Sequence, residues 1–186
     1  MDEISKLMIE QLKDAHSAEK QALRAMQKMA KQATNEKLKQ GIQMHMEQTE
    51  GQIERLEQGL ERLGGKPGRK VCEAMRGLVE EANHEMGEND KGAMMDVVLI
   101  AAAQRIEHYE IAAYGTMATL AKSAGQQELA RLLGETLAEE KRMDEELTRI
   151  AESEVNRTWI EECRAEEQEM ESANENRRGG ARRKAS

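Results

Sequence analysis

Apolar side chains recur every three or four residues along four long stretches of this chain, with charged and amide side chains between them. In a helix of about 3.6 residues per turn, this spacing collects the apolar side chains on one face. The pattern therefore predicts four amphipathic helices, at residues 2–32, 36–63, 93–122 and 127–151. Each helix is expected to bury one apolar stripe against the others rather than its whole surface.

The segments between these helices divide them into two pairs. Thr34 and Asn35 form one short turn, and Gly125 lies in another. Residues 64–70, with the sequence GGKPGRK, end the second helix, and residues 71–86 form a shorter amphipathic segment after it. Short loops make the members of each pair antiparallel neighbours. The expected fold is all-α: a ferritin-like antiparallel four-helix bundle with a short crossover helix and a C-terminal extension.

The composition agrees with a helical protein. Of 186 residues, 38% are apolar and 34% are charged, with no Phe and a single proline. Strong helix formers such as Ala, Leu, Met, Glu and Lys dominate. No stretch approaches the roughly 20 apolar residues of a membrane span, and the charged N-terminus is unlike a secretory signal. Because the two cysteines match no known pairing or ligand spacing, a reduced, cytoplasmic setting is expected.

The net charge of −8 is unevenly distributed along the chain. An acidic chain argues against a general nucleic-acid-binding surface. The last ten residues, 177–186, nevertheless carry five Arg or Lys residues and no acid. They are predicted to form a disordered tail, which is either simply solvated or a tether for nucleic acid or an acidic partner. The expected organisation is a bundle at residues 1–155, a helical extension at 156–176, and this tail.

Four glutamates occupy positions where the helical stripes require apolar residues. They are Glu19 in the first predicted helix, Glu107 and Glu110 in the third, and Glu140 in the fourth. Counting from the turns places all four near mid-helix, at compatible heights. Burying ionised carboxylates is costly unless a cation compensates them, and no Lys or Arg shares these stripes at neighbouring turns. The pattern predicts a metal site inside the bundle, with Asp144, at the edge of the same face as Glu140, as a further ligand.

The second helix contributes fewer candidate ligands. At the expected height its inward face carries His45, Thr49 and Gln52. His45 is a candidate imidazole ligand or a partner that holds a carboxylate. The alternative to a metal is a polar core whose carboxyl groups share protons. Oxygen ligands with at most one imidazole favour iron or manganese, with zinc as another occupant.

Several strings of this sequence resemble the YciE/YciF-type ferritin-like stress-protein family, which is related to rubrerythrin and ferritin. They are AEKQ at 18–21, HMEQT at 45–49, GQIERLEQ at 51–58, IAAAQRIEHYEIAAYGT at 100–116 and LLGETLAEEKRMD at 132–144. The resemblance covers residues 1–155 and implies a ferritin-like bundle that is often dimeric. It also implies that Glu19 is the single metal-binding Glu of the first helix. Glu107 and Glu110 would then form the Glu-x-x-Glu pair of the third.

The chain departs from the pattern of related di-iron proteins in two helices. In the fourth helix, Met143 stands three residues after Glu140, where a His is usual, and Asp144 is the nearest substitute. In the second helix, Thr49 and Gln52 stand where a Glu-x-x-His pair is usual. The sequence also lacks the CxxC pair that carries the electron-transfer centre of rubrerythrin.

These observations lead to two hypotheses, and the sequence leaves open whether the protein is an enzyme. In the first, it is a cytoplasmic, homodimeric stress-response protein with a di-iron or di-manganese carboxylate site, which oxidises Fe(II) or removes peroxide if it turns over. The expected ligands are Glu19, His45, Glu107, Glu110, Glu140 and Asp144. In the second, it is a non-enzymatic dimerisation or scaffold bundle with a vestigial metal site, associated with the nucleoid through its basic tail.

Overall fold

The computed structural model describes the backbone of residues 2–184 and the side chains of residues 2–174. In this part of the chain, helices and the loops between them make up the fold and no β-strand occurs. The helices are α1 (Glu3–Gln32), α2 (Glu36–Arg62), α3 (Glu73–Glu88), α4 (Ala93–Ser123), α5 (Gln127–Ile150) and α6 (Asn156–Lys184). A π-helical turn, Ala151–Val155, joins α5 to α6. The predicted all-α fold is confirmed.

Local side-chain and backbone chemistry sets the ends of the long helices. The Asp2 carboxylate accepts a hydrogen bond from the Ser5 N–H at 2.7 Å, and the Asn35 side chain accepts one from the Leu38 N–H at 3.0 Å. Both are N-caps, which satisfy backbone donors that lack a partner within the helix. After α4, Gly125 takes a φ of +74°, a conformation that suits glycine at a helix C-terminus. The first five helices begin and end within two residues of the positions predicted from the sequence.

The four long helices pack as two antiparallel hairpins. α1 packs against α2, and α4 against α5, while contacts of α2 with α5 and of α1 with α4 join the two hairpins. The crossover helix α3 lies against α1 and α4. The buried Asp96 carboxylate of α4 also accepts hydrogen bonds from the Thr34 and Asn35 N–H groups at 2.8 and 2.9 Å. This carboxylate ties the turn of the first hairpin to the second.

A layer of buried polar residues divides the apolar core of the bundle into two clusters. One cluster, at the Thr34 end, includes Met29, Leu38 and Leu99. The other, at the Gly125 end, includes Leu12 and Leu60. In α2, α4 and α5, buried polar residues fall between the positions that contribute to the two clusters, and in α1 Glu19 lies at the edge of the first cluster, next to Ala18. The layer contains Glu19, His45, Thr49, Gln52, Glu107, Glu110, Thr136 and Glu140.

Beyond the bundle, α6 covers the predicted extension. Its backbone stays helical as far as Lys184, whereas the sequence predicts a disordered tail from residue 177. The tail side chains and residues 185–186 lie outside the described residues, so the division into bundle, extension and tail stays a prediction. In the π-helical turn before α6, the Glu154 side chain pairs with Lys37 and accepts a hydrogen bond from Asn35. No described helix combines the length and apolar character needed to cross a bilayer.

Candidate metal centre

Three side chains from three different helices converge in the middle of the buried polar layer. The Nε2 atom of His45, on α2, lies 3.4 Å from Glu107 Oε1 of α4 and 3.2 Å from Glu140 Oε2 of α5. One ligand atom from each residue lies within 4.8 Å of the other two. The side chains are only 2%, 2% and 0% exposed, respectively. This arrangement is a compact set of one imidazole and two carboxylates, sealed from bulk solvent.

The positions of these three residues follow from the apolar pattern around them. On α2, His45 falls between Ile42 and Leu56, which belong to the two apolar clusters. Glu107 lies four residues after the buried Ala103 on α4. Because every inward position of a helix returns after three or four residues, the packing of the apolar stripe also turns these polar side chains inward. The core of the bundle therefore fixes the cluster in place.

Glu19 and Glu110 lie beside this cluster and are equally buried. The Tyr114 hydroxyl, itself buried, donates a hydrogen bond to Glu19 Oε1. Burial, and after it the Glu140 carboxylate, raises the pKa of Glu19 well above the usual range for glutamate. Burial, and after it the carboxylates of Glu19 and Glu140, raises the pKa of Glu110 in the same direction. The four buried glutamates thus act on one another electrostatically, as members of one acidic layer.

His45 is the only basic side chain that the described structure brings against these carboxylates. Burial opposes its protonation, but the adjacent Glu107 and Glu140 carboxylates outweigh that effect and raise the pKa of His45 well above its ordinary value. Burial is also the main reason that the pKa of Glu107 rises, to about 8, although the imidazole pulls it down. One imidazolium can balance one carboxylate, whereas four glutamates share the layer. The remaining acids must hold protons or face another cation.

Four carboxylate oxygens in the layer lack a hydrogen-bond partner among the described residues. They are Glu107 Oε2, Glu110 Oε1 and both carboxylate oxygens of Glu140, whose 3.2 Å approach to His45 Nε2 is a charge contact and not a hydrogen bond. Buried polar atoms in native proteins are almost always paired, so each of these oxygens requires an explanation. Oxygen donors together with one imidazole are the ligand types that suit iron and manganese. The residues present therefore fit a metal ion.

Asp144, the sixth predicted ligand, does not join this cluster. Its carboxylate accepts a hydrogen bond from Gln104 at 3.1 Å and lies 3.2 Å from the Nε2 atom of His108. Its side chain is 23% exposed, and that of His108 is 70% exposed. A step of four residues from Glu140 turns the side chain by about 40° around α5, which brings it to the outer seam with α4. The structure thus gives Asp144 polar partners at the surface and no place among the buried ligand atoms.

A second polar group lies at the edge of the layer where α2 meets α5, and the apolar pattern of the sequence does not predict it. Arg55 donates hydrogen bonds to Glu139 and to the Thr136 hydroxyl, and the Gln52 amide donates to Glu139 at 3.1 Å. Gln52 itself is fully buried. These contacts cross between two helices that are distant in sequence, so only the pairing of α2 with α5 reveals them. They join the two helices that carry His45 and Glu140 at their seam.

Known proteins are similar to this chain over most of its length. The family model described as a domain of unknown function (DUF892) matches residues 3–160. The chain belongs to this family. Protein YciF of Escherichia coli K12 is 49% identical to it over 158 residues, which are 84% of this chain and 95% of that protein.

Solved structures of family members and of a more distant protein share the fold. The crystal structure of the E. coli stress protein YciF matches with a TM-score of 0.78 at 49% identity, covering 84% of this chain and 99% of that one. A putative structural protein from Rhodopseudomonas palustris matches at 0.75 and 40% identity, covering 80% and 94%. A ferritin-like, diiron-carboxylate protein from Bacillus anthracis matches at 0.64 and 20% identity, covering 81% and 99%. This last likeness shows that the fold of this chain is ferritin-like, as predicted.

Proposed function

We propose that the protein binds iron or manganese inside the bundle, through His45, Glu107 and Glu140, with Glu19 and Glu110 completing a dinuclear carboxylate site. The observation that carries the proposal is the group of buried carboxylate oxygens without hydrogen-bond partners around a single imidazole. Two divalent ions would balance the negative charges of four glutamates. One imidazolium balances only one of these charges. The ferritin-like fold provides the same kind of bundle interior in which carboxylate-bridged metal pairs are bound.

Within such a site, each residue of the chain has a distinct task. Glu107 and Glu140 provide oxygen ligands, and His45 provides a nitrogen. Glu19, held by the Tyr114 hydroxyl, is pre-oriented for a ligand role. The apolar clusters on both sides exclude water, which strengthens every electrostatic interaction in the layer. Iron bound there would supply redox chemistry, the oxidation of Fe(II) by oxygen or peroxide.

The proposed biological role is a cytoplasmic stress response, in a homodimeric protein that lowers free Fe(II) and oxidant together. Support comes from the E. coli relative, whose crystal structure is described as that of a stress protein. Before metal binds, the raised pKa values of Glu19, Glu107 and Glu110 indicate that the layer stores protons. Metal binding would exchange these protons for metal charge.

A second candidate function is a non-enzymatic dimerisation or scaffold bundle with a vestigial metal site. The observation in its favour is the ligand content of α2, which brings His45 to the cluster but has Thr49 and Gln52 one and two turns further on. The description of the R. palustris relative as a putative structural protein points the same way. Association with the nucleoid through residues 177–186 belongs to this reading, and salt-sensitive DNA binding that is lost when those residues are deleted would test it.

Metal content measured by mass spectrometry separates the two functions. Tag-free protein, purified without chelators, is compared with Glu107→Ala, in which one ligand is lost, and with Asp144→Asn, in which a carboxylate outside the cluster is neutralised. We expect about two iron or manganese ions per chain in the wild-type protein and in Asp144→Asn, as in other di-iron bundles, and none in Glu107→Ala. A single ion per chain would mean that α2 leaves one position empty. No metal after reconstitution, with a melting temperature that metal does not change, would favour the scaffold.

A further inference from the structure

A basic groove lies on the outside of the bundle, away from the acidic layer. Its volume is about 650 Å³. It lies between the last turns of α1, the first half of α2 and the loop before α4. Its lining residues are Gln27, Ala30, Lys31, Lys39, Gln43, Met46 and Lys91. None of these seven residues is acidic, and together they present three ammonium groups and two amides over an apolar floor of Ala30 and Met46.

The segment that provides six of the seven lining residues carries a charge opposite to that of the protein as a whole. Residues 20–46 contain six Lys or Arg residues and one acid, Glu36, in a chain whose net charge is −8. Lys20, Arg24 and Lys28, with Lys31 of the groove, follow one another on α1 at intervals of four, four and three residues. Such intervals place them on one face of the helix. The stripe leads along α1 into the groove, so an approaching anion would be drawn toward it.

The lysines of the groove, unlike several other cations among the described residues, have no carboxylate partner. Lys37, Arg55 and Arg105 pair with carboxylates. In contrast, no carboxylate among the described residues lies within salt-bridge distance of Lys31 or Lys39. Lys91 donates a hydrogen bond to the backbone carbonyl of Lys31 at 2.6 Å, which holds its charge at the rim of the groove. Among the described residues, no carboxylate therefore neutralises the positive charges of Lys31 and Lys39.

Helix dipoles explain only part of this arrangement. Lys31 and Lys91 lie at the C-terminal end of α1, where cations are stabilised by the partial negative charge of the helix. Lys39 is the fourth residue of α2, close to a helix N-terminus, where a cation is unfavourable. Three ammonium groups around one cavity also repel one another. An anion in the groove would relieve both effects.

We propose that this groove is a binding site for a small anion that carries several phosphate groups, of the size of a nucleoside triphosphate. The ammonium groups act as point-charge donors for phosphate oxygens, while Gln27 and Gln43 offer amide donors. A volume of about 650 Å³ lies within the usual range for small-molecule pockets, and the apolar floor gives room for a ring. The site shares no residue with the candidate metal centre and is independent of it.

Isothermal titration of metal-free protein with inorganic tripolyphosphate and with ATP tests the proposal. Chelator-treated protein is required because polyphosphates bind divalent metals, and Glu107→Ala serves as a second form without the metal centre. We expect a Kd below about 100 μM at physiological salt, corresponding to roughly 5–6 kcal/mol. The double variant Lys31→Gln/Lys39→Gln should bind at least about tenfold more weakly, because it removes two of the three charges. The matched control, Lys66→Gln/Lys122→Gln, changes two exposed lysines outside the groove and should bind like wild type.

The affinities for tripolyphosphate and ATP show which part of the ligand the groove recognises. Equal affinity for tripolyphosphate and ATP would support recognition of the phosphate chain alone, and tighter binding of ATP would support added contact with the apolar floor. The proposal is overturned if neither compound binds below about 1 mM, a free energy of only about 4 kcal/mol. Unchanged affinity in the folded Lys31→Gln/Lys39→Gln variant would also overturn it. The proposal is also overturned if a short DNA duplex binds more than about tenfold more tightly than tripolyphosphate, with the steep salt dependence of a nucleic-acid surface.

Discussion

Two adjacent glutamates on α5 lie in opposite environments. Glu139 is 17% exposed, pairs with Arg55 and accepts a hydrogen bond from Gln52. Glu140 is fully buried, and neither of its carboxylate oxygens has a hydrogen-bond partner among the described residues. One step along a helix turns a side chain by about 100°, which moves it from the seam between α2 and α5 into the interior.

The difference shows that the compensation of a carboxylate charge by this chain depends on how deeply the carboxylate is buried. At the seam, the chain itself supplies a guanidinium, and the ion pair is complete. In the interior it supplies one imidazole for four glutamates, although an unpaired buried charge is among the most costly features of a folded protein. An arrangement that is complete at the surface and incomplete in the core points to a cation from outside the chain.

The largest effect is expected when this pair of glutamates is neutralised one at a time. Glu140→Gln should weaken metal binding by more than about 100-fold, since even the loss of residues that only orient metal ligands costs 10–100-fold. Glu139→Gln should leave the metal affinity within about threefold of wild type, because it disturbs only a partly exposed ion pair whose value is about 1 kcal/mol or less. Competition against a chromophoric chelator measures both affinities. An equal loss in the two variants would show that the interior carboxylate has no special role.

A second pair of residues, His45 and His108, extends the comparison to the cationic partner. His45→Ala should destabilise the metal-free protein by about 3 kcal/mol, because it removes the one basic group that faces the buried carboxylates. His108→Ala should have little effect, since its imidazole is 70% exposed beside Asp144. Urea unfolding at neutral pH with a chelator present measures both changes. Similar stabilities of the two variants would mean that the glutamates need no compensation from His45.

The sequence was sufficient to predict the fold and the inward-facing glutamates. Helical period and distance from the turns place Glu19, Glu107, Glu110 and Glu140 inside the bundle, and all four are buried. This works because a glutamate in the middle of an apolar stripe cannot avoid the core without turning the whole helix.

The remaining parts of the site depend on contacts between helices, which the period of one helix does not encode. Asp144 lies at the edge of its stripe, where Gln104 and His108 of α4 decide its direction. The pairing of Arg55 with Glu139 likewise depends on how α2 lies against α5. For His45, the stripe indicated an inward direction, but only the assembled bundle places its Nε2 atom between two carboxylates.

The smallest expected effect is the change of folding stability with pH. The sign of this change differs between the metal-free and the metal-bound protein. Burial raises the pKa of Glu107 from 4.5 in the unfolded chain to about 8 in the fold. A raised pKa means that the native state holds the proton more tightly, so this contribution to stability is full below pH 4.5 and is lost as the pH rises through about 8. The raised pKa of His45 acts in the same direction.

Chemical unfolding of chelator-treated protein between pH 5 and pH 8 should therefore show stability falling by at least about 1.4 kcal/mol, the value of one pKa unit. In Glu107→Gln, which cannot ionise, the fall should be smaller. With metal bound the slope should reverse, because protons compete with the metal for the same ligands and stability is lost toward acid pH. A metal-free protein that becomes more stable between pH 5 and pH 8 would show that the buried carboxylates are already compensated within the chain, and the case for an external cation would lose its physical basis.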